Sequence, residues 1–217
     1  MRDDKNVIEV KNVNLVIGKE HILHNIDISF EKGKIHGLIG RNGSGKTMLM
    51  KCICGFVKYT DGEIFVEGKK IGKEVDFPNN IGIIIETPGF IPYYSGKKNL
   101  EILAGLKKKI GKKEIEDTIR LVGLDPKLKK SVRKYSLGMR QRLGMAQAVM
   151  EDPDILILDE PMNGLDKQGV ADMRELLLKL KNGGKTIILA SHSAEDIEIL
   201  CDTVCELDRG YMERIKF

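Results

Sequence analysis

The chain has 217 residues, 41% of them hydrophobic and 31% charged, and its formal net charge is +4. This composition predicts a soluble globular protein with a sizeable core and excludes a largely disordered chain. Its apolar runs, such as residues 83–85 and 155–158, are far shorter than the ~20 residues that cross a bilayer. Residues 1–10 lack the apolar stretch of a signal peptide, so we expect any membrane contact to depend on a partner.

The first zone, residues 7–85, alternates strand-like runs with turn signals. The clearest runs are residues 22–30, 63–66 and 81–85, and Asp61-Gly62 is a typical turn between two of them. We expect this zone to be mostly β-structure, apart from one helix.

A glycine-rich loop precedes that helix, between an apolar strand at 35–39 and a helical segment beginning near Thr47. Its residues, all candidates for nucleotide contact, are Gly40, Arg41, Asn42, Gly43, Ser44, Gly45, Lys46 and Thr47. Glycines let successive backbone N–H groups point inward, and a helix N-terminus adds partial positive charge, so the loop is typical of phosphate binding. Lys46 can reach the β- and γ-phosphates of a nucleotide, and the Thr47 hydroxyl can coordinate Mg²⁺.

The second zone, residues 96–150, carries apolar residues at helical spacing and is strongly basic. Residues 97–142 contain 15 Lys or Arg against 5 Asp or Glu. Two interpretations stay open: solvated helix faces, or attraction to anionic lipid headgroups or an acidic partner. The basic runs lack interleaved aromatic residues, so we expect no nucleic-acid partner.

From residue 154 onward, short apolar strands at 155–158 and 186–190 alternate with helices at 170–181 and 194–200. This alternation is typical of a parallel sheet, so the sequence predicts an α/β core with the helical zone inserted into it. The four cysteines, Cys52, Cys54, Cys201 and Cys205, lack metal-binding spacing and indicate free thiols in a reducing, cytoplasmic compartment.

Asp159 and Glu160 directly follow the strand at 155–158. Open α/β sheets bind ligands at the carboxyl ends of their strands. We expect Asp159 to hold Mg²⁺, through water, and Glu160 to orient or deprotonate the water that attacks the γ-phosphate.

A third motif, Tyr135-Ser136-Leu137-Gly138-Met139, lies shortly before the acidic strand. With the phosphate loop and the acidic strand in this order, residues 7–214 resemble the ATP-binding-cassette family of ATPases. That family's usual motif is Leu-Ser-Gly-Gly-Gln, so Ser136 and Gly138 match, whereas Tyr135, Leu137 and Met139 differ. Ser136 can cap a helix or bond a phosphate, and Gly138 permits close approach of that phosphate to the helix N-terminus.

The resemblance implies an α/β fold with a P-loop NTPase (RecA-like) core, an N-terminal antiparallel β-subdomain and an inserted α-helical subdomain. It implies one domain over residues 1–217. Residues 1–90 and 150–217 would form the core with the β-subdomain, and residues 91–149 the helical subdomain.

The resemblance also assigns further site residues. Catalytic roles fall on Lys46, Glu160 and His192, the last as a switch that senses the γ-phosphate. The segment that starts at Asn163 resembles the dimer-contact loop, represented by Gly164, Leu165 and Asp166. Glu86 stands where most members have glutamine, and the predicted Mg²⁺ ligands are Thr47, Glu86 and Asp159.

Ile17 falls where the family usually stacks adenine on an aromatic residue, and the chain has no Phe, Tyr or Trp before Phe30. We therefore expect weak nucleotide binding with poor base selectivity.

The resemblance implies a homodimer or heterodimer that sandwiches ATP and Mg²⁺ between two chains. Each signature, Ser136, Leu137, Gly138 and Met139, would close over the phosphate loop of the other chain. We expect integral membrane permease subunits as partners, a peripheral position on the inner face of the cell membrane, and docking through residues 90–94.

Residues 86–90, with the signature motif, resemble the subset that exports or confers immunity to bacitracin and lantibiotic peptides. The expected function is thus ATP hydrolysis that powers export. The alternative is a nucleic-acid- or ribosome-associated ATPase of the same family. Members that act on chromosomes need a very long coiled coil between the phosphate loop and the acidic strand, and residues 47–155 of this chain leave no room for one. Members that act in translation carry two cassettes in tandem, whereas this sequence has one.

Overall fold

The computed structural model describes residues 5–216, so residues 1–4 and 217 of the expected domain lie outside the described residues. The strands within this range are β1 (Asn6–Ile17), β2 (Glu20–Glu31), β3 (Ile35–Ile39), β4 (Asp61–Val66), β5 (Lys69–Lys70), β6 (Ile81–Ile84), β7 (Ile155–Asp159), β8 (Thr186–Ala190), β9 (Thr203–Asp208) and β10 (Tyr211–Lys216). The α-helices are α1 (Lys46–Ile53), α2 (Gly96–Lys107), α3 (Lys112–Leu121), α4 (Leu137–Val149), α5 (Lys167–Asn182) and α6 (Ala194–Leu200).

The smaller sheet has the order β2-β1-β4-β5, and all its pairs are antiparallel. Buried aliphatic residues recur along β1 at Ile8, Val10, Val13 and Leu15. One face of this sheet therefore packs on the core, as expected for the N-terminal β-subdomain.

The larger sheet has the order β10-β9-β3-β8-β7-β6. Strands β9, β3, β8, β7 and β6 pair in parallel, and β10 pairs antiparallel with β9. Uninterrupted apolar runs in β7 and β8 are typical of parallel strands covered on both faces. Because β3, β8 and β7 are neighbours, the loops after their carboxyl ends meet at one edge.

Alternate residues of β7 enter different cores. Leu156 and Leu158 pack under the helices, whereas Ile155 and Ile157 pack toward α1 and the antiparallel sheet. Burying each such side chain contributes about 1.5–3 kcal/mol. The sheet edge that carries the site is therefore supported from both faces.

The inserted helices share a core with the sheet, and α4 packs on the edge strand β6. A Cβ added to Gly82 of β6 would lie 1.9 Å from the Ala148 carbonyl oxygen of α4, so only glycine permits this approach. The helix that begins at the signature motif is thereby tied to the strand that leads to Glu86. None of the helices in residues 5–216 combines the length and apolar character of a membrane span.

Candidate functional site

The phosphate loop joins β3 to α1 through backbone with positive φ, which glycine adopts readily. Gly40 has φ +140° and Gly45 has φ +108°. A Cβ on Gly40 would lie 2.1 Å from the Leu207 carbonyl oxygen, so a larger residue would displace β9. Around Gly43 an added Cβ would meet nothing within 4 Å, so a ligand can approach the backbone there.

Lys46 folds back over this loop. Its ammonium donates to the carbonyl oxygens of Gly40 at 2.6 Å and Arg41 at 3.0 Å. Burial lowers the pKa of Lys46 below its ordinary value, and the negative charges of Asp159 and Glu160 offset part of this effect. The side chain is thus a preformed cation above the loop, held by weak acceptors that an anion can replace.

Two features of the loop fit a phosphate group. The Ser44 hydroxyl oxygen is buried without a hydrogen-bond partner. Gly45, the cap of α1, has no side chain to pair with the N–H groups of the first helical turn, and that turn contains no acidic residue. Helix N-termini in this condition present unpaired N–H groups and partial positive charge to anions.

The Thr47 hydroxyl donates a hydrogen bond to Asp159 Oδ2 at 2.7 Å, which joins α1 to the end of β7. A hydroxyl and carboxylates are the hard oxygen donors that Mg²⁺ prefers. No cluster of three or more His, Cys, Asp or Glu suited to a metal occurs in the part of the chain that the structure describes. The Thr47 hydroxyl and the Asp159 carboxylate fit an ion that takes its other ligands from phosphate and water.

Glu160 follows Asp159 in a left-handed conformation, φ +51°, fixed by its N–H donating to the Ala190 carbonyl at 3.0 Å. Its Oε2 accepts from the His192 backbone N–H at 3.4 Å. Its Oε1 lies 3.3 Å from His192 Nε2, but the alignment leaves Oε1 without a hydrogen bond. Burial raises the pKa of Glu160, against the lowering effect of His192. The carboxylate is thus a base with one free acceptor oxygen.

Gln141 supports Glu160 from α4, a role that its place after the signature motif did not reveal. Its buried side chain donates through Nε2 to the Glu160 carbonyl at 3.1 Å. The same carbonyl accepts from the Asn163 backbone N–H at 3.1 Å. The conformation of Glu160 is therefore linked to the helix that carries the signature.

Glu86 lies just beyond β6 in a left-handed conformation, φ +60°. Its Oε1 forms an ion pair with Lys51 Nζ of α1 at 2.6 Å. The sequence indicates Glu86 as a candidate metal ligand but gives no sign of a role for Lys51.

The signature motif and the predicted dimer-contact loop pack against each other within one chain. Ser136 caps α4, accepting from the Met139 N–H at 3.2 Å. A Cβ on Gly138 would lie 2.9 Å from the Gly164 carbonyl oxygen and 3.5 Å from Leu165. The two segments therefore form one continuous surface, with the Leu137 side chain about half exposed on it.

Asp166 caps α5 by accepting from the Gly169 N–H at 2.8 Å. This cap starts α5 at Lys167, three residues before the helix that the sequence predicts. Within the single chain, the Asp166 side chain therefore already has a structural role as the cap of α5.

A cavity of about 610 Å³ brings many of these residues together. The predicted residues that line it are Asn42, Gly43, Ser44, Gly45, Lys46, Thr47, Glu86, Leu137, Asp159, Glu160 and His192. The others do not line it: Ile17, Gly40, Arg41, Ser136, Gly138, Met139, Gly164, Leu165 and Asp166.

At the edge of the cavity nearest the β1–β2 hairpin, the lining residues are Glu20 and Ile22 of β2 rather than Ile17. Ile17 ends β1 and is half exposed. No Phe, Tyr or Trp lines this cavity in the described residues. A base bound here would contact an aliphatic and a carboxylate side chain.

Comparison with known sequences agrees with this geometry. A family model described as ABC transporter matches residues 23–163. An uncharacterized ABC transporter ATP-binding protein of Bacillus subtilis (strain 168), YybJ, is 46% identical over 95% of each chain. The bacitracin transport ATP-binding protein BcrA of Enterococcus faecalis is 40% identical over 95% of this chain and 68% of its own length. The lantibiotic transport ATP-binding protein SrtF of Streptococcus pyogenes is 36% identical over 91% and 85%.

Solved structures give the same result. The ATP-binding subunit of an ABC transporter superposes with a TM-score of 0.84 at 26% identity, over 96% of this chain and 90% of that one. A dimeric bacterial ABC transporter cassette shares the fold, with a TM-score of 0.86 at 23% identity over 97% and 99%. The P-loop NTPase fold that the sequence implied is thus confirmed. The chain belongs to the ABC transporter family, as one of its ATP-binding subunits.

Proposed function

We propose that this subunit hydrolyses ATP in a Mg²⁺-dependent reaction and, paired with a second such subunit, powers export through separate membrane subunits. The observation that carries the proposal is the hydrogen bond from Thr47 to Asp159, with Glu160 and His192 next to it. It brings phosphate-binding, metal-binding and base groups to one edge of the sheet.

The phosphate end of ATP is held by groups already in place. Lys46 exchanges the Gly40 and Arg41 carbonyl oxygens for β- and γ-phosphate oxygens, and the N–H groups of the loop and of α1 complete the cradle. Thr47, Asp159 and Glu86 would hold Mg²⁺, which when bound stabilises negative charge on the phosphate oxygens.

Glu160 acts on the attacking water. Its Oε1 lacks a hydrogen-bond donor, so it can accept one from water and take up the proton as the water attacks the γ-phosphate. Burial makes this carboxylate more basic than an exposed glutamate. His192, about half exposed beside Glu160, would contact both the water and the γ-phosphate.

A second subunit completes each site. Ser136 and Gly138 do not line the cavity of their own chain, but they form one surface with the dimer-contact loop around Gly164. On a partner this surface would place the N-terminus of α4 against the γ-phosphate bound to the facing loop. The partner is a second copy or a related chain.

Residues 90–94 are proposed as the docking surface for the permease. The side chain of Asn99 fixes this loop, accepting from the Ile91 N–H at 2.7 Å and donating to its carbonyl at 3.1 Å. Tyr93 is 76% exposed on the loop, and Tyr94 and Ile91 are also exposed. A rigid exposed apolar loop suits a protein partner, and docking would hold the subunit on the inner face of the cell membrane.

The cargo is proposed from the relatives. BcrA is named for bacitracin transport and SrtF for lantibiotic transport. We extend peptide-antibiotic export to this subunit and expect no nucleic-acid partner.

Two measurements test the proposal. Phosphate release should depend on Mg²⁺ in the wild type and fall by about a hundredfold or more in Glu160→Gln. From native membranes, the wild type should co-purify with its permease. Tyr93→Ser should lose the permease but keep the fold, because Tyr93 is exposed. Sedimentation with ribosomes and absence from membranes would instead support the alternative function.

A further inference from the structure

Lys51 of α1 forms an ion pair with Glu86, one of the residues that line the cavity. Lys51 Nζ lies 2.6 Å from Glu86 Oε1. Lys51 follows Thr47 by four residues on α1, so the two side chains lie on the same face of the helix. Glu86 lines the cavity together with Thr47 and Asp159. Lys51 therefore lies one helical turn after Thr47, the residue whose hydroxyl is proposed as a metal ligand.

Separating Glu86 from Lys51, so that the metal can take its place, requires little free energy. The Glu86 side chain is 64% exposed and the Lys51 side chain 23% exposed. Exposed ion pairs change an equilibrium constant by at most about fivefold, because water solvates each charge when they separate. Glu86 also has positive φ, a conformation unfavourable for a residue with a side chain, so the backbone around it stores strain.

We propose that Lys51 is a positioning residue that holds the Glu86 carboxylate until Mg²⁺ arrives with the nucleotide, and then releases it to the metal. This inference rests on the proposed Mg²⁺-dependent function. At equal distance, a divalent ion attracts a carboxylate twice as strongly as an ammonium does, so exchange proceeds toward the metal. A glutamine at position 86 would not form this ion pair, so glutamate makes the position of the segment depend on which cation holds it.

The test measures Mg²⁺ affinity rather than hydrolysis, by calorimetric titration of the non-hydrolysable analogue AMP-PNP at several MgCl₂ concentrations. Lys51→Gln should raise the apparent Mg²⁺ affinity about three- to fivefold, because Glu86 no longer has to leave an ion pair. Lys51→Arg, which keeps the charge, should behave like the wild type. Lys70→Gln is the matched control: Lys70 pairs with Glu63 at 2.6 Å with similar exposure, but outside the cavity.

A double-mutant cycle distinguishes two causes of a change in Mg²⁺ affinity. One is the displacement of Lys51 from Glu86, and the other is direct repulsion between the Lys51 charge and Mg²⁺. In a Glu86→Gln background, Lys51→Gln should change Mg²⁺ affinity by less than about 1.5-fold. An equal increase in both backgrounds, or no increase in either, would overturn the proposal. Failure of the proposed function looks different, since the wild type would then bind AMP-PNP without any dependence on Mg²⁺.

Hydrogen exchange gives a second readout. Adding MgCl₂ to the AMP-PNP complex should change amide exchange in residues 86–90 of the wild type. In Lys51→Gln, exchange there should be faster before metal is added. Equal metal-free exchange in the two proteins would contradict a holding role for Lys51.

Discussion

Thr47 and Asp159 are 112 residues apart, yet the Thr47 hydroxyl donates to Asp159 Oδ2 at 2.7 Å. The phosphate loop follows β3 and Asp159 ends β7, and only β8 separates these strands in the parallel sheet. Parallel pairing brings the carboxyl ends of all three strands to the same edge, where His192 follows β8. The sheet order thus brings together groups from three distant parts of the sequence.

Thr47→Val tests the proposed metal site, because valine keeps the shape of threonine but lacks the hydroxyl. Nucleotide binding in EDTA should stay unchanged, whereas Mg²⁺ affinity of the nucleotide complex should fall at least about tenfold. Thr47→Ser keeps the hydroxyl and should retain most of the affinity. Calorimetry over a range of MgCl₂ measures both, and unchanged metal affinity in Thr47→Val would remove Thr47 from the site.

Gln141→Leu tests the support of Glu160 by α4. Losing one of the two hydrogen bonds to the Glu160 carbonyl should lower the free energy of unfolding by about 1 kcal/mol. The kcat for ATP should fall about tenfold because the carboxylate is less well positioned, whereas KM should change little. Gln147→Leu, on the same helix, is the control. An unaltered kcat in Gln141→Leu would mean that the bond does not position the base.

His36 predicts a pH dependence of stability. Its Nε2 lies 2.9 Å from the Glu31 carbonyl, which can only accept, so Nε2 carries the hydrogen and Nδ1 accepts from the Thr203 hydroxyl at 2.7 Å. Burial lowers the pKa of His36 below its ordinary value of 6.5. The unfolded chain therefore binds a proton before the folded chain does, and stability falls as pH drops through 6.5.

Urea denaturation between about pH 8 and pH 5 measures this effect. The free energy of unfolding should fall more steeply toward acid in the wild type than in His36→Gln. His21→Gln, at an exposed position, is the control and should follow the wild type. Parallel pH profiles for the wild type and His36→Gln would contradict the buried neutral imidazole.

Base selectivity is the fourth prediction. Glu20 and Ile22 line the cavity without an aromatic residue, so affinities for ATP and GTP should agree within about tenfold. Glu20→Tyr, at a position that lines the cavity, should raise ATP affinity about tenfold by adding a stacking surface. His21→Tyr, at a position that does not line it, is the control, since successive strand residues face opposite ways. A strong adenine preference in the wild type, measured by competition binding, would contradict this prediction.

The sequence alone predicted the parts of the fold that depend on contiguous signals. The loop between β3 and α1, the strand predicted at 155–158 and the helix over Ala194–Leu200 all have strong local patterns, and the structure has these elements, with β7 extending to Asp159. Motif order then allowed the fold and the family to be identified, and both are confirmed. All four cysteines are buried, a placement that their spacing did not predict.

Other features depend on tertiary placement and left no local signal. The bonds from Gln141 to Glu160 and from Lys51 to Glu86 require knowledge of how α4 and α1 lie against the sheet. Strands β9 and β10 carry charged residues among apolar ones, and no strand was assigned there. The packing of Gly138 against Gly164 likewise follows from the fold and not from either motif.

We propose that ATP joins two subunits and that hydrolysis assisted by Glu160 releases them. Sedimentation velocity of wild type and Glu160→Gln, with and without Mg-ATP, is the decisive measurement. Glu160→Gln should be monomeric without nucleotide and accumulate as a dimer with Mg-ATP, whereas the wild type should hydrolyse ATP and return to monomer. A variant that stays monomeric with Mg-ATP bound, or that hydrolyses ATP as fast as the wild type, would contradict it.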